Sequence, residues 1–144
     1  MNEILVAIDG SGHSEKVVSF TIGLAKATSS KIVMLFVAQP IKVPDEYAAY
    51  AKSENLPTDS YYDRLAQGLF DNMGRLLAKG GVPYEAVSVI GNPTQCILDM
   101  AKSRKVSLMV LGVHGLHRLG KIRALGSTSR RVIENSDVPV VLVR

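Results

Sequence analysis

The sequence predicts an α/β fold: an open, doubly wound sheet of five parallel strands with helices on both faces. Short unbroken apolar runs such as Ile4–Ile8 and Ile32–Val37 have no polar face. Strands of that kind are buried on both sides, as parallel strands beneath helices are. Between the runs, apolar residues recur at three- and four-residue spacing, which marks helices with one buried stripe. The order βαβαβαβαβ follows, and right-handed crossovers close it as a doubly wound sheet. A single domain over residues 1–144 is expected, with no repeat evident.

Each element rests on its own residues. Ile4-Leu-Val-Ala-Ile8 is a strand closed by the turn-forming Asp9-Gly10-Ser11-Gly12. Val17, Val18, Thr21, Ile22 and Ala25 stripe the first helix, and Lys31–Val37 is the second strand. From Gln39 to Ser60 the chain holds Pro40, Pro44 and Pro57 with Tyr47 and Tyr50, and it lacks a clean period. The expectation there is a long surface excursion with at most a helical turn over Ala48–Lys52; a lid over a ligand is the alternative. Leu65, Leu69, Met73, Leu76 and Leu77 stripe the next helix, which Gly80-Gly81 ends. Tyr84–Val89 reads as a weaker, alternating strand. Asn92-Pro93 supplies an N-cap and first helical residue, with Ile97, Met100 and Ala101 facing inward. Leu108–Leu111, a short helix over Ser127–Asn135 and a last strand over Val138–Val143 complete the order.

Composition bounds the setting. An apolar fraction of 47% and a charged fraction of 21% belong to a folded globular chain rather than a disordered one. Cys96 stands alone, which excludes an internal disulfide and a multi-cysteine metal site, and the expected location is a reducing cytoplasm. The opening MNEILVAIDG has neither a basic n-region nor a long apolar h-region, so no secretory leader is expected. The longest apolar run, Ile32–Ala38, falls far short of the roughly 20 residues of a membrane span. The net charge of +4 is unevenly spread, with no acidic side chain between Met100 and Ile133. Such a field attracts anions, or simply solvates one face.

The stretch GVHGLHRLGKIRALGSTS, Gly112–Ser129, sits where that field meets the end of a strand. Glycines allow close backbone approach, and a helix N-terminus presents free N–H groups and the positive end of a dipole. The arrangement can hold an anion through backbone alone. A glycine-rich turn followed by an ordinary Ser/Thr N-cap reads equally well. It is neither a Walker loop nor a dinucleotide fingerprint, because no Gly-Lys-Ser/Thr and no G-x-G-x-x-G occurs in place.

VAIDGS after the first strand, GNP before the third helix, G-x-x-G followed by G-S at a helix start, and the closing SDVPVVLVR together resemble a single-domain universal stress protein over essentially the whole chain. The resemblance implies a Rossmann-like fold of the adenine nucleotide alpha hydrolase type, usually as a homodimer. Members of the ATP-binding subgroup carry a G-2x-G-9x-G-(S/T) motif; others lack it and bind no ATP. Here ten residues, Leu116–Leu125, stand where nine are usual. By resemblance the phosphate contacts fall on Gly112, His114, Gly115, Gly126, Ser127, Thr128 and Ser129. Ala7, Asp9 and Val37 match the positions that hold the adenosine end. ATP is the implied ligand, with magnesium riding on its phosphates.

The remaining side chains narrow the chemistry. Asp9 is a lone carboxylate without an acid–base partner, and no nucleophile–base constellation marks the chain as an enzyme. His13 and His117 read as solvated, and the three histidines lack metal-ligand spacing. Cys96 reads as a small apolar residue. Nucleic-acid binding is disfavoured because aromatics are not interleaved with the basic residues. Two functions remain: an ATP-binding regulatory switch in the stress response, with at most slow hydrolysis, or a dimeric stress adaptor without nucleotide. Either works through an unidentified protein partner. A homodimer is expected through the last strand, Val138–Val143, whose apolar edge only Pro139 blunts; Val141 and Val143 would pack on the second copy.

Overall fold

The computed structural model describes residues 1–40, 43–57, 60–113 and 125–144. The elements run β1 (Glu3–Ile8), α1 (Ser14–Thr28), β2 (Lys31–Ala38), α2 (Asp45–Ser53), α3 (Ser60–Gly80), β3 (Tyr84–Ile90), α4 (Pro93–Arg104), β4 (Leu108–Gly112), α5 (Ser127–Asn135) and β5 (Val140–Val143). All neighbouring strands pair in parallel, in the order β3-β2-β1-β4-β5. The central strands are buried on both faces: Leu5, Val6, Val33, Met34, Met109 and Val110 are all inaccessible. β3 lies at an edge, which is why its pattern alternates instead of staying apolar.

Strand alternation divides the core. Ile4, Val6, Ile32, Met34 and Val110 pack under α1 and α3 on one face. Leu5, Val33, Leu35, Met109 and Leu111 pack with Ile97 of α4 and Val132 of α5 on the other. Two glycines at the end of α3 serve different needs. At Gly80 a Cβ would lie 2.7 Å from Cγ2 of Ile22, so its absence lets α3 close on α1, while Gly81 takes a φ of +70° to leave the helix. Asn92 caps α4 as its sequence predicts, its side chain accepting from the Gln95 N–H at 3.1 Å with Pro93 at the first helical position.

Three expectations need correction. The Gln39–Ser60 segment is not merely an irregular excursion, since Asp45–Ser53 forms α2. The α3 stripe is set by Ala66, Met73 and Leu77, with Leu69, Phe70 and Leu76 partly buried, whereas Leu65 is 40% exposed. Ala66 falls on the line of Met73 and Leu77 at seven- and eleven-residue spacing, and Leu65 sits one residue off it. The closing strand spans only Val140–Val143, because Pro139 has no N–H to extend the ladder.

Candidate functional site

The topology locates a crevice before any side chain is considered. From β1 the chain steps to β2 and β3 with α1 and α3 on one face. It then returns through α4 to β4, on the far side of β1, with α4 and α5 on the other face. The loops leaving β1 and β4 therefore part to opposite faces, and ligands of open α/β sheets bind in such crevices at the strand carboxyl ends. Register places the loops level with each other. Val6 pairs with Val110, so Ile8 and Gly112 end adjacent strands at one height.

The loop after β1 is held by its own polar groups. Asp9 Oδ1 accepts from the Ser11 N–H at 2.9 Å and from the Ser14 hydroxyl at 3.4 Å. Gly10 has a φ of +80° and lies against Leu69 of α3. The expectation that His13 is solvated fails: its Nε2 lies 2.8 Å from the Val143 carbonyl oxygen, and the ring is part-buried. The reason is tertiary, since the end of β5 stops beside the first turn of α1.

Across the crevice, β4 and α5 are locked together. The Gly126 N–H donates to the Val113 carbonyl at 2.8 Å, and the Ser129 hydroxyl donates to the Gly112 carbonyl at 2.7 Å. The ordinary Ser/Thr cap does not form. Gly126 occupies the N-cap position, no side chain caps α5, and Ser127, Thr128 and Ser129 are its first three helical residues. The first intrahelical bond of α5 runs from the Arg130 N–H to Gly126 O, so the three preceding N–H groups have no partner within the helix. No acidic side chain stands in this first turn. Helix N–H groups left in this state carry the positive end of the dipole and suit an anion.

Ala7 and Val37 sit in adjacent strands, partly buried against the α4–α5 side of the core. They line the sheet below the loops. Ala7, Asp9, Val37, Gly112, Gly126, Ser127, Thr128 and Ser129 thus gather around the carboxyl ends of β1, β2 and β4. His114 and Gly115, with His117, Arg118, Lys121 and Arg123, lie outside the described residues. His13 is the neighbour that sequence reasoning missed; its position in a turn gave no sign of a contact 130 residues away. Among the described residues no group of three His, Cys, Asp or Glu is placed to hold a metal ion, and no helix is long and apolar enough to cross a membrane.

Comparison with known proteins agrees with this architecture. The family model described as the Universal stress protein family matches residues 1–144. The chain is 30% identical to Universal stress protein YxiE of Bacillus subtilis, covering 99% of both chains. It is 31% identical to a universal stress protein of Thermus aquaticus, covering 98% of this chain and 97% of that one. Among solved structures, the universal stress protein UspA of Lactobacillus plantarum superposes with a TM-score of 0.80 at 19% identity, over 99% of this chain and 97% of that one. A universal stress protein of Archaeoglobus fulgidus in complex with dAMP gives 0.64 at 21% identity, over 100% and 98%. A match from the first residue to the last, with relatives this similar over nearly their whole length, makes the chain a member of the universal stress protein family.

Proposed function

We propose that this chain binds an adenine nucleotide, ATP above all, in the crevice between β1 and β4, and acts as a nucleotide-responsive switch in the stress response. The observation that carries the reading is the uncapped N-terminus of α5, fastened to the end of β4 with three N–H groups outside the helical ladder. Phosphate oxygens are the natural partners of such groups. Two solved universal stress proteins, one in complex with cAMP and one with dAMP, add support by similarity. On this reading Gly112, His114, Gly115, Gly126 and Ser127–Ser129 face the phosphates, and Ala7, Asp9 and Val37 face the adenosine. Magnesium would arrive with the phosphates. The protein works as a homodimer in the cytoplasm.

A second reading, a dimeric adaptor without nucleotide, draws on the same site. Asp9 Oδ1 and the Ser129 hydroxyl proton are already engaged within the chain. Titration calorimetry with millimolar ATP and magnesium separates the two. Binding is expected, with a rise in melting temperature, because a ligand at 100 times its Kd stabilises the fold by about 2.7 kcal/mol. Gly126→Val should abolish the binding: its φ of −58° is open to any residue, so the added side chain obstructs the ligand rather than straining the backbone. Wild-type protein that gives no binding heat and no thermal shift leaves the adaptor standing.

A further inference from the structure

His13 and Val143 are joined by one of the longest-range hydrogen bonds in the chain. A carbonyl oxygen only accepts, so His13 carries its proton on Nε2 when the bond is made. The same Val143 oxygen also accepts from the Val113 N–H at 3.0 Å. One acceptor therefore ties down the loop leaving β1, through His13, and the chain leaving β4, through Val113. Val113 in turn holds Gly126 at the head of α5 by its own carbonyl. Both walls of the crevice hang on the last residue of the edge strand β5. Asp9 stands four residues before His13; its own hydrogen bonds among the described residues are local, from Ser11 and Ser14, and Gly10 beside it packs on Leu69 of α3.

We infer that His13 is a positioning residue that sets the width of the crevice by pinning the Asp9–His13 loop to Val143, and so couples ligand binding to the edge strand β5. The inference rests on the nucleotide reading above and assigns it a regulatory route. A ligand that bridges the two walls favours the pinned geometry, and reciprocity requires that whatever steadies β5 also favours the ligand. His13 touches no ligand in this account; it acts through a carbonyl on another element.

The experiment compares wild type with His13→Phe, which keeps a ring but loses the donor, and His13→Gln, whose amide N–H can reach the same carbonyl. ATP with magnesium is titrated by calorimetry, and hydrogen exchange of residues 140–143 is followed with and without it. Wild type should bind, and ATP should slow exchange in β5. His13→Phe should weaken ATP at least fivefold and erase the slowing in β5, and His13→Gln should restore both to within twofold. His13→Ala replaces the phenylalanine variant if the latter does not melt cooperatively. Equal ATP affinity and equal protection of β5 in wild type and the donor-less variant overturn the role of His13 while leaving the nucleotide reading intact. Failure of wild type to bind ATP overturns that reading, and the coupling with it.

Discussion

Arg104, the last residue of α4, makes paired hydrogen bonds to two strands. Its Nε and Nη2 donate to Glu3 at 3.0 and 2.8 Å, and its Nη1 and Nη2 donate to Glu85 at 3.3 and 2.6 Å. Lys31 adds a bond to Glu85 at 2.9 Å and an ion pair with Glu3 at 3.6 Å. Hydrogen bonding from Arg104 is the main force holding both carboxyls below their ordinary value, and it raises the guanidinium in turn. A lowered folded value means the contribution is complete above about pH 4.5 and lost as pH falls through the folded values. Wild type should therefore lose this contribution to its melting temperature below that pH. Arg104→Gln should cost a few degrees at pH 7 and less at pH 3, a difference that thermal scans across pH will measure. Partial exposure keeps the effect modest. The four residues sit at the amino ends of the strands, away from the crevice, and no sequence spacing links positions 3, 31, 85 and 104. Cys96, by contrast, behaves as its sequence suggests: it is partly buried, and burial, aided by Asp99, raises its thiol.

At the scale of elements, α2 is the part that pattern reading undervalued. Its sequence, DEYAAYAKS, buries only Ala51, so it has no apolar stripe to detect. Pro44 stands at the N-cap, outside the helix, so its missing N–H breaks no helical bond. What fixes the helix is a cluster of tyrosines. Tyr47 meets Tyr61 of α3 with ring centroids 5.2 Å apart, and its hydroxyl is hydrogen-bonded to Ser60. The Arg64 guanidinium lies 4.8 Å over the Tyr50 ring and donates to its hydroxyl at 2.8 Å. These contacts join α2 to the start of α3 rather than to the sheet. Tyr47→Ala should then speed amide exchange in residues 45–53 about tenfold or more and shift the global melting temperature little. Equal loss of protection in β1 and β2 would show instead that α2 supports the whole fold. Helices with a buried stripe, such as α1 and α3, were legible because each turn repeats the signal.

For the whole molecule, β5 is the sheet edge at which a second copy would pair. Val143 is 7% exposed and packs in the chain's own core under α1, so it is not free to meet a second copy as its sequence position suggested. The carbonyls of Pro139 and Val143 point to β4, which turns the backbone groups of Val140 and Leu142 outward. A dimer formed there pairs backbone first and side chains second. Leu142→Pro removes an outward N–H and leaves the bonds to β4 in place. Light scattering should find wild type dimeric at micromolar concentration and the proline variant monomeric, with both cooperatively folded. A monomeric wild type would rule this dimer out.

The doubly wound fold, the N-cap at Asn92 and the helix end at Gly81 were legible in the sequence. Those features follow from local periodicity, turn chemistry and the handedness of crossovers, all of which act between near neighbours. That Ser129 bonds Gly112 instead of capping α5, that His13 reaches Val143, and that Arg104 joins Glu3 to Glu85 follows from packing alone. Each of these is a polar contact between segments distant in sequence. A polar side chain carries no period, and it takes whichever unsatisfied partner the packed backbone leaves within reach.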